Sequence, residues 1–304
     1  MIVRMYQVKR APQSTFVPIR TLQYHVQVWG QPAPDKTPLV MVHGWMDVAA
    51  SYQFVVDALS ADHYVIAPDW RGFGQTQVHP TDHFVFADYL ADLDFLLDHF
   101  APGTPVNLVG HSMGGNVVMA YAGVRPERVR RLVNLEGFGM PRTAPAQAPS
   151  RYVRWMDELK ALHQGQRELR TYDDLNGVAS RLIKTNPRLH PDKARWLATH
   201  WASQDAQGRW VIQGHAAHKI SSANLYRVDE ALELFKRIAA PVLSVVASDN
   251  SMDLWWKGSY TLEEFNQRMQ AVPNLQTAPV TDAGHMLHHD QPEVVAGLIE
   301  RFIA

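Results

Sequence analysis

Apolar positions along this chain follow two rhythms, one short and one helical. Tyr24-His25-Val26-Gln27-Val28-Trp29-Gly30 alternates and then turns, which predicts a strand running into the loop Gln31 to Pro34. Three continuous apolar runs follow, Leu39 to Val42, Tyr64 to Ala67 and Val106 to Val109, each ending in small or polar residues. Runs this short and this rich in Val, Leu and Ile suit strands covered on both faces of a parallel sheet. Between Phe84 and Phe100 the apolar residues Tyr89, Leu93, Leu96, Leu97 and Phe100 recur at helical spacing, with Asp88, Asp92 and Asp94 off that stripe. Met113 to Gly123 reads as a second helix, stopped at Arg125-Pro126, and Val129 to Leu135 as a further strand.

The alternation resumes with a strand at Pro241 to Ala247, a helix at Thr261 to Ala271, a strand at Leu275 to Val280 and a helix at Pro292 to Ile303. Strands alternating with helices imply an α/β chain with a doubly wound parallel sheet. From about Met140 to Phe235 that rhythm breaks. The stretch opens on the linker-like Pro141 to Ser150 and continues in helical segments holding Trp155, Trp196, Trp201 and Trp210. The expected organisation is a core of residues 1–139 and 236–304, with 140–235 inserted as a helical cap.

Composition narrows the function classes. The 304 residues are 46% hydrophobic and 19% charged, ample for a buried core. Lys plus Arg number 29 against 30 Asp plus Glu, so the basic excess of a nucleic-acid binder is missing. With no cysteine, disulfides, thiolate metal sites and a cysteine nucleophile are all excluded. The first residues lack the pattern of a secretory signal, and no stretch approaches the roughly 20 apolar residues of a membrane span. A soluble cytoplasmic protein acting on a small molecule is the expectation; oligomeric state is not legible.

The chemistry concentrates at three strand ends. Gly110-His111-Ser112-Met113-Gly114 fits Gly-x-Ser-x-Gly where the Val106 to Val109 strand meets a helix. The bare pattern recurs in unrelated proteins; the strand-to-helix context gives it meaning. A sharp turn there holds the serine hydroxyl above the sheet, and the Met113 N–H at the helix start is free to stabilise an oxyanion. His43-Gly44-Trp45 follows the Leu39 to Val42 strand, and the Trp45 N–H is the candidate second donor. The alternative for that segment is an ordinary β-to-α turn. His285 lies after the last strand and before the last helix, so its loop can reach over the sheet toward Ser112. A histidine near its reference pKa of about 6.5 can take the serine proton and return it to a leaving group. His288 and His289 belong with the following helical turn. His215 and His218 have a metal-like spacing but no third ligand nearby, so a structural or substrate-facing role is preferred, and no metal is expected.

The turn Gly110 to Gly115, His43-Gly44, Asp69-Trp70-Arg71-Gly72-Phe73-Gly74 and Gly284-His285 stand in an order and spacing that resembles the α/β-hydrolase superfamily. The resemblance spans the chain outside the cap, and Leu135-Glu136-Gly137-Phe138-Gly139 with the aromatic-rich cap resembles its serine-hydrolase-like branch. It implies the α/β-hydrolase fold: a mostly parallel eight-stranded sheet with helices on both faces, an inserted helical cap, and no metal or organic cofactor. It also implies an acid to orient His285. The usual place after the penultimate strand points to Asp249, whereas related haloalkane dehalogenases put theirs where Glu136 stands; Glu136 is favoured and Asp249 kept as the alternative. Arg71 is expected to brace the loop beside the serine through hydrogen bonds. His43, His111, Phe138 and Trp155 are the candidate pocket residues, with Trp255-Trp256 adding to pocket or cap packing. The implied activity is hydrolysis of an ester or related acyl bond. Carbon–carbon bond hydrolysis and a non-catalytic small-molecule receptor are the alternatives. Dehalogenase and epoxide-hydrolase action is disfavoured, since those relatives need a carboxylate where Ser112 stands.

Overall fold

The computed structural model describes residues 5–76 and 78–304. Six strands come first: β1 (Gln13–Ile19), β2 (Leu22–Trp29), β3 (Leu39–Val42), β4 (Val65–Pro68), β5 (Val106–His111) and β6 (Val129–Leu135). Three short ones, β7 (Thr171–Tyr172), β8 (Ala202–Gln204) and β9 (Trp210–Ile212), form a separate sheet, and β10 (Val242–Asp249) and β11 (Leu275–Gly284) return to the main one. The main sheet has eight strands in the order β1-β2-β4-β3-β5-β6-β10-β11. Only β2 runs against its neighbours β1 and β4; the remaining pairs are parallel. An α/β-hydrolase fold with a mostly parallel eight-stranded sheet is therefore what the chain adopts.

The helices divide between the two faces because the strand residues do. Along β3, Val40 and Val42 join one core cluster while Leu39 and Met41 join the other. The first cluster is closed by α2 (Phe86–Phe100) and α3 (Met113–Val124), the second by α1 (Gln53–Ala58) and α11 (Pro292–Ile303). From β3 the chain passes to β4 on one side and later to β5 on the other. The carboxyl ends of β3 and β5 therefore flank the point where connections part to opposite directions, the place where open α/β sheets form a crevice.

Between β6 and β10 lie α4 (Ala148–His163), α5 (Leu175–Thr185), α6 (Pro191–Trp201) and α7 (Val228–Lys236). The segment is not purely helical, since the antiparallel β7-β9-β8 sheet sits within it. A third core cluster, including Val178, Leu182, Trp196 and Leu197, packs with Val48 and Phe54 from the α1 side. Trp201 and Trp210 pack against the same cluster. Three short helices complete the chain between and after the last strands: α8 (Met252–Trp256), α9 (Leu262–Met269) and α10 (Leu287–Asp290). No helix among the described residues is long and apolar enough to cross a membrane.

Candidate active site

Ser112 stands between the end of β5 and the start of α3 with φ 52° and ψ −114°. A residue with a Cβ pays about 1–3 kcal/mol to stay in such a region, so the surroundings must hold it there. Two hydrogen bonds do so: Ser112 N–H donates to Leu135 O at 2.9 Å, and Asn116 N–H to Ser112 O at 3.0 Å. Glycines make the turn sterically possible. A Cβ on Gly110 would fall 2.4 Å from Gly114 O, and one on Gly114 would fall 2.3 Å from Val42 O. The β3 turn also comes near, since a Cβ on Gly44 would lie 3.1 Å from Ser112 Cβ. Met113 is the first residue of α3, so its N–H has no partner within the helix.

Glu136 and Asp249 sit in very different surroundings. Glu136 follows β6, is 2% exposed and also has positive φ, 58°. Its turn is clamped by Asn134, whose side chain accepts from Gly137 N–H at 2.9 Å and donates to Gly137 O at 3.0 Å. One carboxylate oxygen of Glu136 accepts from Ala247 N–H at 2.7 Å, and the other lies 3.2 Å from His285 Nδ1. Asp249, by contrast, is exposed at the tip of β10 and pairs with Arg188. Among the described residues, Glu136 is the carboxylate paired with His285.

Burial shapes the charge state of this pair. It pushes the Glu136 carboxyl up to about 8, against the stabilising Ala247 N–H, and holds His285 down to about 3. Burial leads both shifts because it penalises charge on either member, and His288 pushes His285 further down. A neutral Glu136 would donate its proton to Nδ1 and leave the proton of the imidazole on Nε2. Only the ionised carboxylate selects the Nδ1–H tautomer with Nε2 free to act as base.

Several residues expected to line a pocket do other work. His43 is 0% exposed and both its ring nitrogens are engaged: Nε2 accepts from Trp70 N–H at 2.9 Å, so Nδ1 carries the proton given to Gly44 O at 2.7 Å. Burial lowers its pKa and keeps it neutral. His43 thus fixes the loop after β3 to the loop after β4. His111 is also buried; its Nε2 meets the main-chain O of His285 at 2.7 Å, tethering the His285 loop from behind. Phe138 is 4% exposed and packs edge-on against Trp256 and Phe265, which makes it a core residue and not a pocket wall. Trp155 is half-buried on α4. Trp255 has the stronger claim: 44% exposed, its ring meets that of His285 edge-on at 4.3 Å between centroids. Trp45 is 51% exposed, and its indole N–H donates to His218 O at 3.2 Å, linking the β3 loop to the inserted segment.

The supporting loops are as expected in kind. Arg71 forms a two-pronged pair with the buried Asp92, and Asp69 accepts from Ala49 N–H at 2.7 Å and from Gln75 N–H at 2.9 Å. His218 lies stacked between Phe73 and Phe84, with centroids 3.8 and 3.7 Å away, a packing role. Sequence reading passed over Asp47. It is 3% exposed and accepts from the Ser51 hydroxyl and, at 2.9 Å, from the Trp201 indole N–H. A lone Asp three residues beyond a glycine turn carries no local signal of that burial.

A family model described as alpha/beta hydrolase fold matches residues 37–292. A serine hydrolase-like protein of Danio rerio is 24% identical over 304 residues, covering 97% of this chain and 89% of the relative. A cis-3-alkyl-4-alkyloxetan-2-one decarboxylase of Shewanella oneidensis is 26% identical, covering 88% of this chain and 81% of its own. Among solved structures, the thioesterase domain from the curacin biosynthetic pathway superposes with a TM-score of 0.81 at 23% identity, over 95% of this chain and 99% of that one. Carboxylesterase CesB of Bacillus subtilis gives 0.65 at 19% identity, over 98% of this chain and 93% of that one.

Proposed function

We propose that this chain, which belongs to the α/β-hydrolase fold family, cleaves a carboxylic ester or related acyl bond of a small, largely apolar substrate. The observation that carries the reading is the pairing of His285 with the buried Glu136, which follows Leu135, the residue whose carbonyl holds the N–H of a serine at positive φ. Ser112 Oγ attacks the carbonyl carbon while His285 Nε2 takes its proton. Glu136 holds the opposite ring nitrogen and stabilises the imidazolium as it forms. The N–H groups of Met113 and Trp45 receive the oxyanion, and losing one such donor typically costs about 100- to 1,000-fold in rate. The tetrahedral species collapses, the leaving alcohol takes the proton from His285, and Ser112 is left acylated. Water, deprotonated by the same imidazole, then releases the acid. The exposed indoles of Trp45 and Trp255 and the 76%-exposed Leu254 offer apolar surface for the substrate.

The test is a rapid-mixing experiment with a short-chain p-nitrophenyl ester, followed by acid quench and peptide mass analysis. An acyl adduct on the Ser112 peptide is expected, together with loss of turnover of about a million-fold in Ser112→Ala. Ester turnover that survives Ser112→Ala would refute the proposal.

A further inference from the structure

Behind His285 lies a pocket of polar side chains that the hydrolytic scheme does not use. Asp47, His288 and His289 are 3%, 0% and 3% exposed, and each offers a ligand atom within 4.8 Å of the others. Neither ring nitrogen of His288 or His289 meets a protein hydrogen-bond partner among the described residues, and neither does Asp47 Oδ2. The nearest approach, His288 Nε2 to Asp47 Oδ2 at 3.8 Å, is too long for a hydrogen bond. Buried polar atoms left without partners cost about 1–3 kcal/mol each, and here they converge from two segments of chain.

We propose that Asp47, His288 and His289 form a binding site for a divalent first-row transition metal of the zinc type. The donor set is right for that class: two neutral imidazoles and one carboxylate, with no thiolate in the chain. The carboxylate has the outer partners that a ligand of this kind needs. Asp47 Oδ1 is already fixed by the Ser51 hydroxyl and the Trp201 indole N–H, leaving Oδ2 to point at the ion. Tetrahedral zinc with ligands at 2.0–2.2 Å sets its donors about 3.4 Å apart, so rotation of the two imidazoles closes the set. The ligands lie on α10, in the turn that follows His285, and in the loop that follows Gly44 and Trp45. An ion would therefore tie together the two loops that carry the base and the second oxyanion donor.

The experiment uses the full chain, freed of metal with a chelator and titrated with Zn²⁺ alone, read by calorimetry and by thermal unfolding. One equivalent is expected to bind and to raise Tm by about 5 °C at saturating ion, because a ligand of the folded state stabilises it. With Co²⁺ in place of Zn²⁺, the visible absorption of a tetrahedral nitrogen–oxygen site is expected. Asp47→Asn keeps an acceptor for Ser51 and Trp201, and His289→Gln keeps a polar group; each is expected to weaken binding at least tenfold and remove the Tm shift. The double variant His83→Gln/His163→Gln, at an exposed cluster around Asp82, is expected to bind as the parent does. Absence of a Tm shift in the parent would overturn the proposal, as would binding that persists in folded Asp47→Asn or His289→Gln. These readouts need no turnover, so they stand or fall separately from the hydrolytic reading.

Discussion

The helices α3 and α4 show how differently two parts of one chain are held. Of the twelve residues of α3, which starts beside Ser112, nine are buried, including Gly114, Gly115 and Val117 to Gly123. Of the sixteen residues of α4 in the inserted segment, only Glu158 is buried, and Tyr152, Val153 and Met156 stand exposed. The open groove along α4 is lined by Ser150, Val153, Arg154, Asp157, Glu158 and Arg167 and shares no residue with the Ser112 site. The lesson is a division of labour. The strained turn at Ser112 needs close packing to persist, whereas α4 holds no such strain and is left largely open.

Four predictions break or sharpen that contrast. The largest effect is expected at Glu136. Glu136→Gln removes the carboxylate that selects the useful tautomer, and kcat is expected to fall by about 1,000- to 10,000-fold, while Asp249→Asn stays within about threefold. The pH profile carries the sign. In the parent, kcat/KM is expected to rise as Glu136 ionises, with a rising limb near 8 and activity lost as the pH falls through it. In Glu136→Gln the residual activity depends on His285 alone, held low by burial, so its limb moves to lower pH. Steady-state kinetics between pH 5 and 10 check both points.

Gly114→Ala comes next, since the new Cβ would meet Val42 O and His43 O, which are backbone atoms and cannot swing aside. A loss of roughly 3 kcal/mol is expected from denaturant titration. A smaller effect comes from the turn strain itself. Ser112→Gly is expected to be more stable than Ser112→Ala by about 1 kcal/mol, because glycine accepts φ 52° without strain. Equal stabilities would mean that the turn stores none. The smallest effect is expected on α4, where Met156→Ala changes stability by less than about 0.5 kcal/mol and appears, if anywhere, in KM.

The sequence pattern reaches some of this and not the rest, for physical reasons. Leu39 to Val42 and Val106 to Val109 announce themselves because strands covered on both faces need continuous apolar runs. Ser112 is legible because glycines two residues either side mark a close approach of backbones. By contrast β1, with its burial alternating only weakly and Pro18 within it, is an edge strand that no apolar run betrays. The choice between Glu136 and Asp249 depends on where two strand-end loops point, and Arg188, distant in sequence, draws Asp249 away. His111 was readable in principle: the residue before Ser112 on a strand faces the opposite side, so it belonged behind the site from the start.

The proposed trio of Ser112, His285 and Glu136 is tested most directly by the rate of fluorophosphonate labelling, followed by intact mass. One equivalent is expected on the parent and none on Ser112→Ala, with Asp249→Asn labelling at the parental rate and Glu136→Gln slowed at least a hundredfold. Parental labelling of Glu136→Gln together with slowed labelling of Asp249→Asn would contradict the account.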